Sequence, residues 1–206
     1  MADLTGYTAM TEIHGGASAA KIVSKYMQLV EQSLCGRTQI VQRIGDQVVV
    51  LSEVPIDIVA TGEKLLTTAH KHHFLSIHIG IHYGPILIAD GNLFGSPINV
   101  ASRIMNLASR GQILCSSAFV NTIPNGSSFK FVSTGKHKLR NVLGHIEIFE
   151  LSTTQSNPFH IDPVCHMLVD PAKEDHVVTY QNETFHFCSS HCMTLFTAYP
   201  ESFLLP

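Results

Sequence analysis

The sequence has few charged residues and no long apolar run. Charged residues make up 14% of its 206 residues and the formal net charge is -3, so the chain lacks the basic surface that binding to a phosphate backbone requires. No apolar stretch approaches the roughly 20 residues that span a bilayer, and the start has no basic segment followed by an apolar one, as a secretory signal has. We therefore expect a cytoplasmic protein with no membrane span and no nucleic-acid partner.

Cysteine is used sparingly. There are five cysteines, an odd number, and without a secretory segment this indicates reduced thiols rather than a disulfide framework. Cys35 and Cys115 lie in apolar contexts and are interpreted as core residues. Three others cluster near the C-terminus, at Cys165, Cys188 and Cys192.

Alternating helix and strand patterns fill the chain up to about residue 151. Helical spacing of apolar residues predicts helices over residues 17–34, 56–70 and 98–108. Strand patterns are found over residues 39–51, 76–83, 85–89, 112–115, 129–133 and 146–151. Gly45 and Asp46 divide the first of these strand segments into a hairpin with an acid at its tip. This order predicts an α+β fold with a ferredoxin-like mixed sheet and flanking helices.

A polar stretch separates this region from the C-terminal residues. Ser, Thr, Gln, Asn and Pro fill it without an apolar period, which is typical of a linker. We therefore divide the chain into a first domain over 1–151, a linker over 152–160 and a small module over 161–206.

Short motifs in the first domain carry residues that suit phosphate chemistry. Asp3 stands in Ala-Asp-Leu-Thr-Gly, Asp46 ends Ile-Gly-Asp, and Asn99 and Arg103 bound Asn-Val-Ala-Ser-Arg. As an ordered set these motifs resemble the class III nucleotidyl cyclase catalytic domain, over residues 2–151. The resemblance implies the class III cyclase fold.

The resemblance assigns a role to each motif. Asp3 and Asp46 would hold two Mg²⁺ or Mn²⁺ ions per active site, with the backbone carbonyl of Leu4 as a further ligand; hard cations of this kind prefer oxygen ligands. Asn99 would orient the ribose and Arg103 would stabilise charge on the transferring phosphoryl group. Residues four apart share one helical face, so a single helix would present both.

Three further positions are expected to bind substrate. Arg140 matches the lysine that binds the triphosphate in the family. Gln42 stands where the family's adenylyl cyclases have a purine-reading lysine, and Asn92 stands at the partner position, usually Asp or Thr. Both amides offer a donor and an acceptor and can read either purine, so ATP and GTP both stay open as substrates.

The first motif lies close to the start. Family members have several apolar residues before the metal-binding aspartate, which form the first half of a central strand, whereas only Met1 and Ala2 precede Asp3 here. We expect either that the true start lies upstream or that Asp3 sits on a frayed strand end.

The C-terminal segment from Asp162 to Phe203 resembles a YHS domain, through Asp-Pro-Val-Cys at Cys165, Phe-His-Phe-Cys at Cys188, and Cys192. A module this short rarely buries enough apolar surface to fold unaided, and a metal ion is one remedy. Thiolates from the three cysteines favour Zn²⁺ or Cu⁺. The alternative is that all three are buried core residues. Candidates for a fourth ligand are His166, His186, His191 and Asp162.

These patterns lead to two functional hypotheses. The first is a cyclase that forms a 3',5'-cyclic nucleotide and pyrophosphate, with ATP favoured over GTP, fused to a metal-binding module. In the family the active site forms between two domains, which implies a homodimer with shared sites. The second is a regulatory module of weak or absent turnover that senses metal through the YHS domain. The intact metal and phosphate residues favour the first, whereas Gln42, Asn92 and the short start favour the second.

Overall fold

A computed structural model of the chain describes residues 1–72, 75–89, 92–153, 159–170, 172 and 175–204. Its helices are α1 (Tyr7–Ser33), α2 (Pro55–Lys71), α3 (Ser96–Met105), α4 (Ser117–Val120) and α5 (Ser190–Ala198), with a 3-10 turn at Pro200–Ser202. Its strands are β1 (Ala2–Leu4), β2 (Gln39–Ile44), β3 (Gln47–Leu51), β4 (Ile77–Ile81), β5 (Leu87–Ala89), β6 (Asn92–Phe94), β7 (Ile113–Ser116), β8 (Phe131–His137), β9 (Ile146–Leu151), β10 (His160–Ile161), β11 (Leu168–Val169), β12 (Val177–Tyr180) and β13 (Glu183–His186).

Seven strands form one mixed sheet in the order β2-β3-β1-β4-β7-β9-β8. β4 and β7 run parallel, and the other neighbours run antiparallel. α1 and α2 pack against each other and bury Tyr26, Val30 and Val59 in a core shared with Ile77 and Ile113 of the sheet. The predicted α+β fold with a mixed sheet and flanking helices is confirmed.

β1 is short but lies in the middle of the sheet. Ala2 pairs with Val48 of β3 on one side and with Ile79 of β4 on the other. The amino group of Met1 donates to the carbonyl oxygen of Gly80 at 2.8 Å, and the Gly80 N–H donates back to the Met1 carbonyl at 2.9 Å. Asp3 therefore stands on a strand with a partner on each side rather than on a frayed end.

α3 lies unusually close to β4. The backbone of Ala101 and Met105 contacts Gly80 so tightly that a Cβ on this residue would have no room. This close approach fixes the helix that carries Asn99 and Arg103 against the centre of the sheet.

The first helix starts ten residues earlier than the sequence pattern predicts. α1 begins at Tyr7 and is kinked at Gly15, whose φ of 76° and ψ of 167° are not helical. Only glycine adopts such a conformation readily. The apolar period is broken at this kink, which is why the pattern revealed only the segment that follows it.

The C-terminal module consists of two small hairpins, β10–β11 and β12–β13, followed by α5. Its core contains Cys165, Phe187, Cys192 and Phe196. The predicted linker lies between β9 and β10, and its residues 154–158 fall outside the described residues. Among the helices that the structure describes, none combines the length and apolar character needed to cross a membrane.

Candidate active site and metal cluster

The pairing of the central strands brings Asp3 and Asp46 together. Asp3 lies on β1, and β3, its neighbour, follows the hairpin turn that carries Asp46. Gly45 makes this turn with a φ of 62°. Burial, and then the negative charge of the neighbouring Asp46 carboxylate, raise the pKa of Asp3 to about 7. The N–H of Leu4, which donates to Asp3 Oδ1 at 3.1 Å, offsets only part of this increase.

This pair of acids fits a hard divalent cation. Neither carboxylate takes part in a salt bridge within the described residues, where Arg43 and Glu31 form an ion pair on the surface. Two carboxylates held side by side without a basic partner repel each other, and a cation between them would remove this repulsion. The contribution of the Leu4 carbonyl stays a prediction.

Two residues beside the acids were missed by sequence reasoning. His78 pairs with Asp3 across β1 and β4, and its Nδ1 lies 3.0 Å from the hydroxyl of Thr5. Burial lowers the pKa of His78. Tyr26 of α1 is fully buried, and burial, followed by the charges of Asp3 and Asp46, raises its pKa. His78 was visible only as a polar position in an alternating strand, and Tyr26 only as an apolar position in a helix.

The expected ribose and phosphate residues form no direct contact with the acids. Asn99 is exposed and Arg103 half-buried, one turn apart on α3. No hydrogen bond or ion pair between described residues joins either side chain to Asp3 or Asp46. The roles of Asn99 and Arg103 therefore stay predictions.

The remaining substrate-binding candidates lie on strands and loops. Gln42 is half-buried on β2 opposite Val49, next to an irregularity in the pairing of that strand. Arg140 is exposed in the connection between β8 and β9. Asn92 begins β6, and its side chain is outside the described residues.

None of the four signature residues lines the large cavity, although Ala2, Ile98 and Ala101 beside them do. It has a volume of about 730 Å³ and is bounded by β3, by β4 and by the segment that follows β4. Its lining includes Met1 and Ala2 but not Asp3, Asp46, Asn99 or Arg103. The paired acids, rather than the cavity, therefore locate the candidate catalytic centre.

The second candidate site is a cluster of thiols. The Sγ atoms of Cys165 and Cys188 are 3.4 Å apart, and those of Cys188 and Cys192 are 3.6 Å apart. Nε2 of His14, which lies on α1, is 3.7 Å from Cys188 Sγ and 3.6 Å from Cys192 Sγ. All four ligand atoms lie within 4.8 Å of one another.

Asp162 holds the two cysteine-bearing loops in place. Its Oδ1 accepts hydrogen bonds from the N–H groups of Val164 at 2.8 Å and Cys165 at 3.3 Å, and its Oδ2 accepts one from the N–H of Cys188 at 2.8 Å. Ser189 caps α5 and accepts from the N–H of Cys192 at 3.3 Å. Hydrogen bonds from Cys165 and Cys188 lower the pKa of Cys192 to about 4, so one thiolate is favoured within the cluster.

None of the four residues expected as a fourth ligand joins this cluster. Asp162 is engaged with backbone N–H groups, and His166 packs against Gly6. His186 stacks on His160 with ring centroids 3.6 Å apart, and His191 is exposed on α5. The structure instead brings in His14, which lies about 150 residues away in the sequence and belongs to no local motif.

Comparison with known proteins identifies the families to which the two parts of the chain are similar. The chain belongs to the adenylate and guanylate cyclase catalytic domain family, whose model matches residues 1–153. A YHS domain model matches residues 160–206, so both families and their order are as predicted.

Individual relatives are distant. A pH-sensitive adenylate cyclase of Mycobacterium tuberculosis is 25% identical over 154 residues, which are 73% of this chain but 39% of that protein. The chain thus spans about two-fifths of this relative. An adenylate/guanylate cyclase/hydrolase structure from Silicibacter pomeroyi has a TM-score of 0.62 and 21% identity, and the match covers 75% of this chain and 94% of the other. A copper-transporting P-type ATPase of Rhizobium leguminosarum is 44% identical over 43 residues, 21% of this chain and 5% of that protein.

The raised pKa of Asp3 predicts how Asp46→Asn affects stability without Mg²⁺ or Mn²⁺. Because the folded-state pKa lies above the ordinary value of 3.8, ionised Asp3 lowers stability as the pH rises from about 4 to 7. Removing the Asp46 charge removes part of this penalty. Solvent screens a half-exposed pair, so we expect the free energy of unfolding to rise by about 1 kcal/mol at pH 8, or the unfolding midpoint by roughly 2–4 °C.

At pH 4 this gain in stability should disappear. Thermal unfolding followed by circular dichroism at both pH values measures it, and an equal gain at both would contradict the assignment.

Proposed function

We propose that this protein is a nucleotidyl cyclase that converts a nucleoside triphosphate, with ATP favoured over GTP, into a 3',5'-cyclic nucleotide and pyrophosphate. The observation that carries the proposal is the convergence of Asp3 and Asp46 inside a domain that belongs to the cyclase family. The preference for ATP is supported by the Mycobacterium tuberculosis relative, which is named an adenylate cyclase.

Each candidate residue takes one role in this reaction. Asp3 and Asp46, with the Leu4 carbonyl, would hold two Mg²⁺ or Mn²⁺ ions. When bound, the ions lower the pKa of the ribose 3'-hydroxyl and neutralise the triphosphate. The 3'-oxygen attacks the α-phosphorus and loses its proton to solvent, and the bond to pyrophosphate breaks.

The other residues position the substrate and stabilise charge. Asn99 orients the ribose by hydrogen bonds, Arg103 donates to the oxygens of the transferring phosphoryl group, and Arg140 binds the triphosphate. Gln42 and Asn92 read the purine edge. Guanidinium groups suit these phosphate positions because they present several donors in a fixed plane.

We also propose a homodimer with two shared active sites. Its support is the membership of the cyclase family, in which the active site forms between two domains. A two-fold symmetric dimer would place the acids of each chain opposite α3 of its partner, and would do so twice.

The protein is proposed to work in the cytoplasm. Its five cysteines are all free, and free thiols persist in reducing compartments. Cyclic nucleotide signalling is a fitting role for a cyclase there.

A regulatory module of weak or absent turnover is the second candidate. Gln42 favours it, because this uncharged side chain replaces a charged purine-reading residue of the family. The loss of a charge-assisted bond weakens substrate binding. In this alternative the thiol cluster would act as the metal sensor.

A direct assay separates the two candidates. Purified protein is incubated with Mn²⁺ and either ATP or GTP, and cyclic products are separated and quantified. Cyclic AMP in excess of cyclic GMP supports the proposal. Absence of both products from a folded dimer supports the regulatory module, and an excess of cyclic GMP would reverse the assigned substrate preference.

Arg103→Ala should lower kcat much more than it raises KM. A group whose interaction strengthens only in the transition state contributes to kcat, and loss of one such donor costs roughly 10²–10³-fold. We expect KM for the triphosphate to change by less than about threefold. Arg37→Ala, an exposed arginine outside the site, is the matched control. A rise in KM at constant kcat would assign Arg103 to ground-state binding instead.

A further inference from the structure

The distances in the thiol cluster match the edges of a coordination tetrahedron. With Zn–S bonds of about 2.3 Å and Zn–N bonds of about 2.0–2.1 Å, neighbouring ligand atoms around a tetrahedral ion are about 3.5–3.8 Å apart. Four of the six separations between the ligand atoms are 3.4 to 3.7 Å, and all six are within 4.8 Å. Three sulfurs and one imidazole nitrogen thus lie close enough together to bind one ion.

We propose that His14 of the cyclase domain completes a Cys3His zinc site with Cys165, Cys188 and Cys192 of the YHS module, so that one ion joins the two domains. The proposal rests on the metal binding suggested for the three thiols and extends it to a ligand from the other domain.

The number of donors favours zinc over copper. Structural zinc sites are four-coordinate and tetrahedral, and Cys3His is one of their standard ligand sets. Thiolates and imidazole both suit zinc and copper, so the four-donor arrangement, rather than the donor type, carries the choice of zinc. The environment is that of a closed structural site, because Cys165 and Cys192 are fully buried.

Surrounding groups hold the ligands as an ordered site requires. Asp162 fixes the loops of Cys165 and Cys188 through three backbone hydrogen bonds, and Ser189 fixes Cys192. Partners of this kind orient metal ligands and raise their affinity. The buried carboxylate of Asp162 would also lie close to the ion and add negative charge.

The non-helical conformation of Gly15 lies next to His14, whose imidazole contacts the thiols. The kink at Gly15 directly follows His14 and ends the first segment of α1. Ile13, next to His14, packs with the core of the YHS module. Near the start of α1, His166 of the module contacts Gly6 so closely that a Cβ on Gly6 would collide with it. The segment from Gly6 to His14 therefore contacts the module at both of its ends.

The docked segment leads directly to the catalytic acids. Asp3 precedes Gly6 by three residues, and the N–H of Met10 bonds to the Gly6 carbonyl at 3.0 Å. An ion bound to His14 thus anchors one end of a segment whose other end carries Asp3. Loss of the ion should loosen this segment, so zinc supports the order of the catalytic centre.

Zinc affinity in the full chain tests the ligand. Elemental analysis should give one zinc per chain. Competition with a chromophoric chelator should show binding at least ~100-fold weaker in His14→Gln, since even outer-shell partners are worth 10–100-fold. His191→Gln is the matched control, an exposed histidine beside Cys192, and should bind as the wild type does. His14→Cys should restore affinity by supplying a fourth thiolate.

A cobalt spectrum gives a readout that folding alone does not move. Co²⁺ bound to the wild type should show the visible bands of a tetrahedral site with three thiolates, and His14→Cys should show stronger thiolate charge-transfer bands. Wild-type zinc affinity in His14→Gln would overturn the proposal. Preferential uptake of copper over zinc would overturn the choice of ion.

Cys188→Ser distinguishes this inference from the metal binding on which it rests. If Cys188→Ser loses zinc and His14→Gln retains full affinity, the thiol site stands and the shared ligand fails. If Cys188→Ser also retains full affinity, both fail, and the cysteines are core residues.

Hydrogen exchange tests the link between the domains. A zinc chelator added to the wild type should raise amide exchange both in residues 162–192 and in residues 1–14. In zinc-saturated His14→Gln, residues 162–192 should stay protected while residues 1–14 exchange faster. Unchanged exchange of residues 1–14 after complete removal of zinc from the wild type would overturn the coupling.

Discussion

Asp46→Asn should abolish cyclic nucleotide formation in a chain that remains folded. The substitution keeps the shape of the side chain but removes one of the two interacting carboxylates. Loss of a charged ligand weakens divalent cation binding and the charge stabilisation that the cations provide. We expect a fall in kcat of at least ~100-fold at fixed Mn²⁺, measured as cyclic product formed from ATP.

Two control measurements show whether the loss of activity is specific to Asp46 and whether the variant is folded. Glu53→Gln, an exposed acid beyond β3, should retain full activity. Thermal unfolding of Asp46→Asn without divalent ions should show a midpoint at or above that of the wild type, because the repulsion of Asp3 is relieved. Full turnover by Asp46→Asn would contradict the assignment of the two acids to metal binding.

Much of the first domain could be predicted because its signals are local. The alternation in 76–83 and the β-branched run after Gly45 specify strands through burial of one face, and both strands are found. The hairpin tip was predictable because Gly45 adopts a positive φ that other residues avoid. These local signals, together with the motif order, were sufficient to predict the family.

The features that the sequence did not predict depend on contacts between residues far apart in the chain. The start of α1 was not predicted, because Gly15 interrupts the apolar period and glycine is a poor helix former. Its eight residues before the kink are helical in a region that packs on the YHS module through Ile13. Tertiary contact, rather than propensity, accounts for this turn.

The fourth ligand could not have been found from the module's own sequence. Every candidate weighed there was a neighbour of the cysteines in the chain, whereas His14 becomes a neighbour only after the two domains dock. The three thiols were predictable as a group from their spacing, since Cys188 and Cys192 lie four residues apart just before and within α5. A ligand set completed by another domain carries no spacing signal.

Mixing two inactive chains should restore activity if the active sites are shared. In a dimer of Asp46→Asn with Arg103→Ala, one site combines both substitutions, and the other combines intact acids with an intact Arg103. Random pairing of equal amounts makes half of the dimers mixed, each with one working site of two, so activity should reach about one quarter of the wild-type value.

The mixing experiment requires that mixed dimers are counted. Differently tagged chains are co-expressed, and mixed dimers are isolated by sequential affinity steps. Cyclic product is then assayed on the isolated mixed dimers, where we expect about half of the wild-type activity. Asp46→Asn paired with itself serves as the control and should stay inactive. A mixed dimer without activity would place the acids, Asn99 and Arg103 of one chain in the same site, and would contradict the proposal of shared sites.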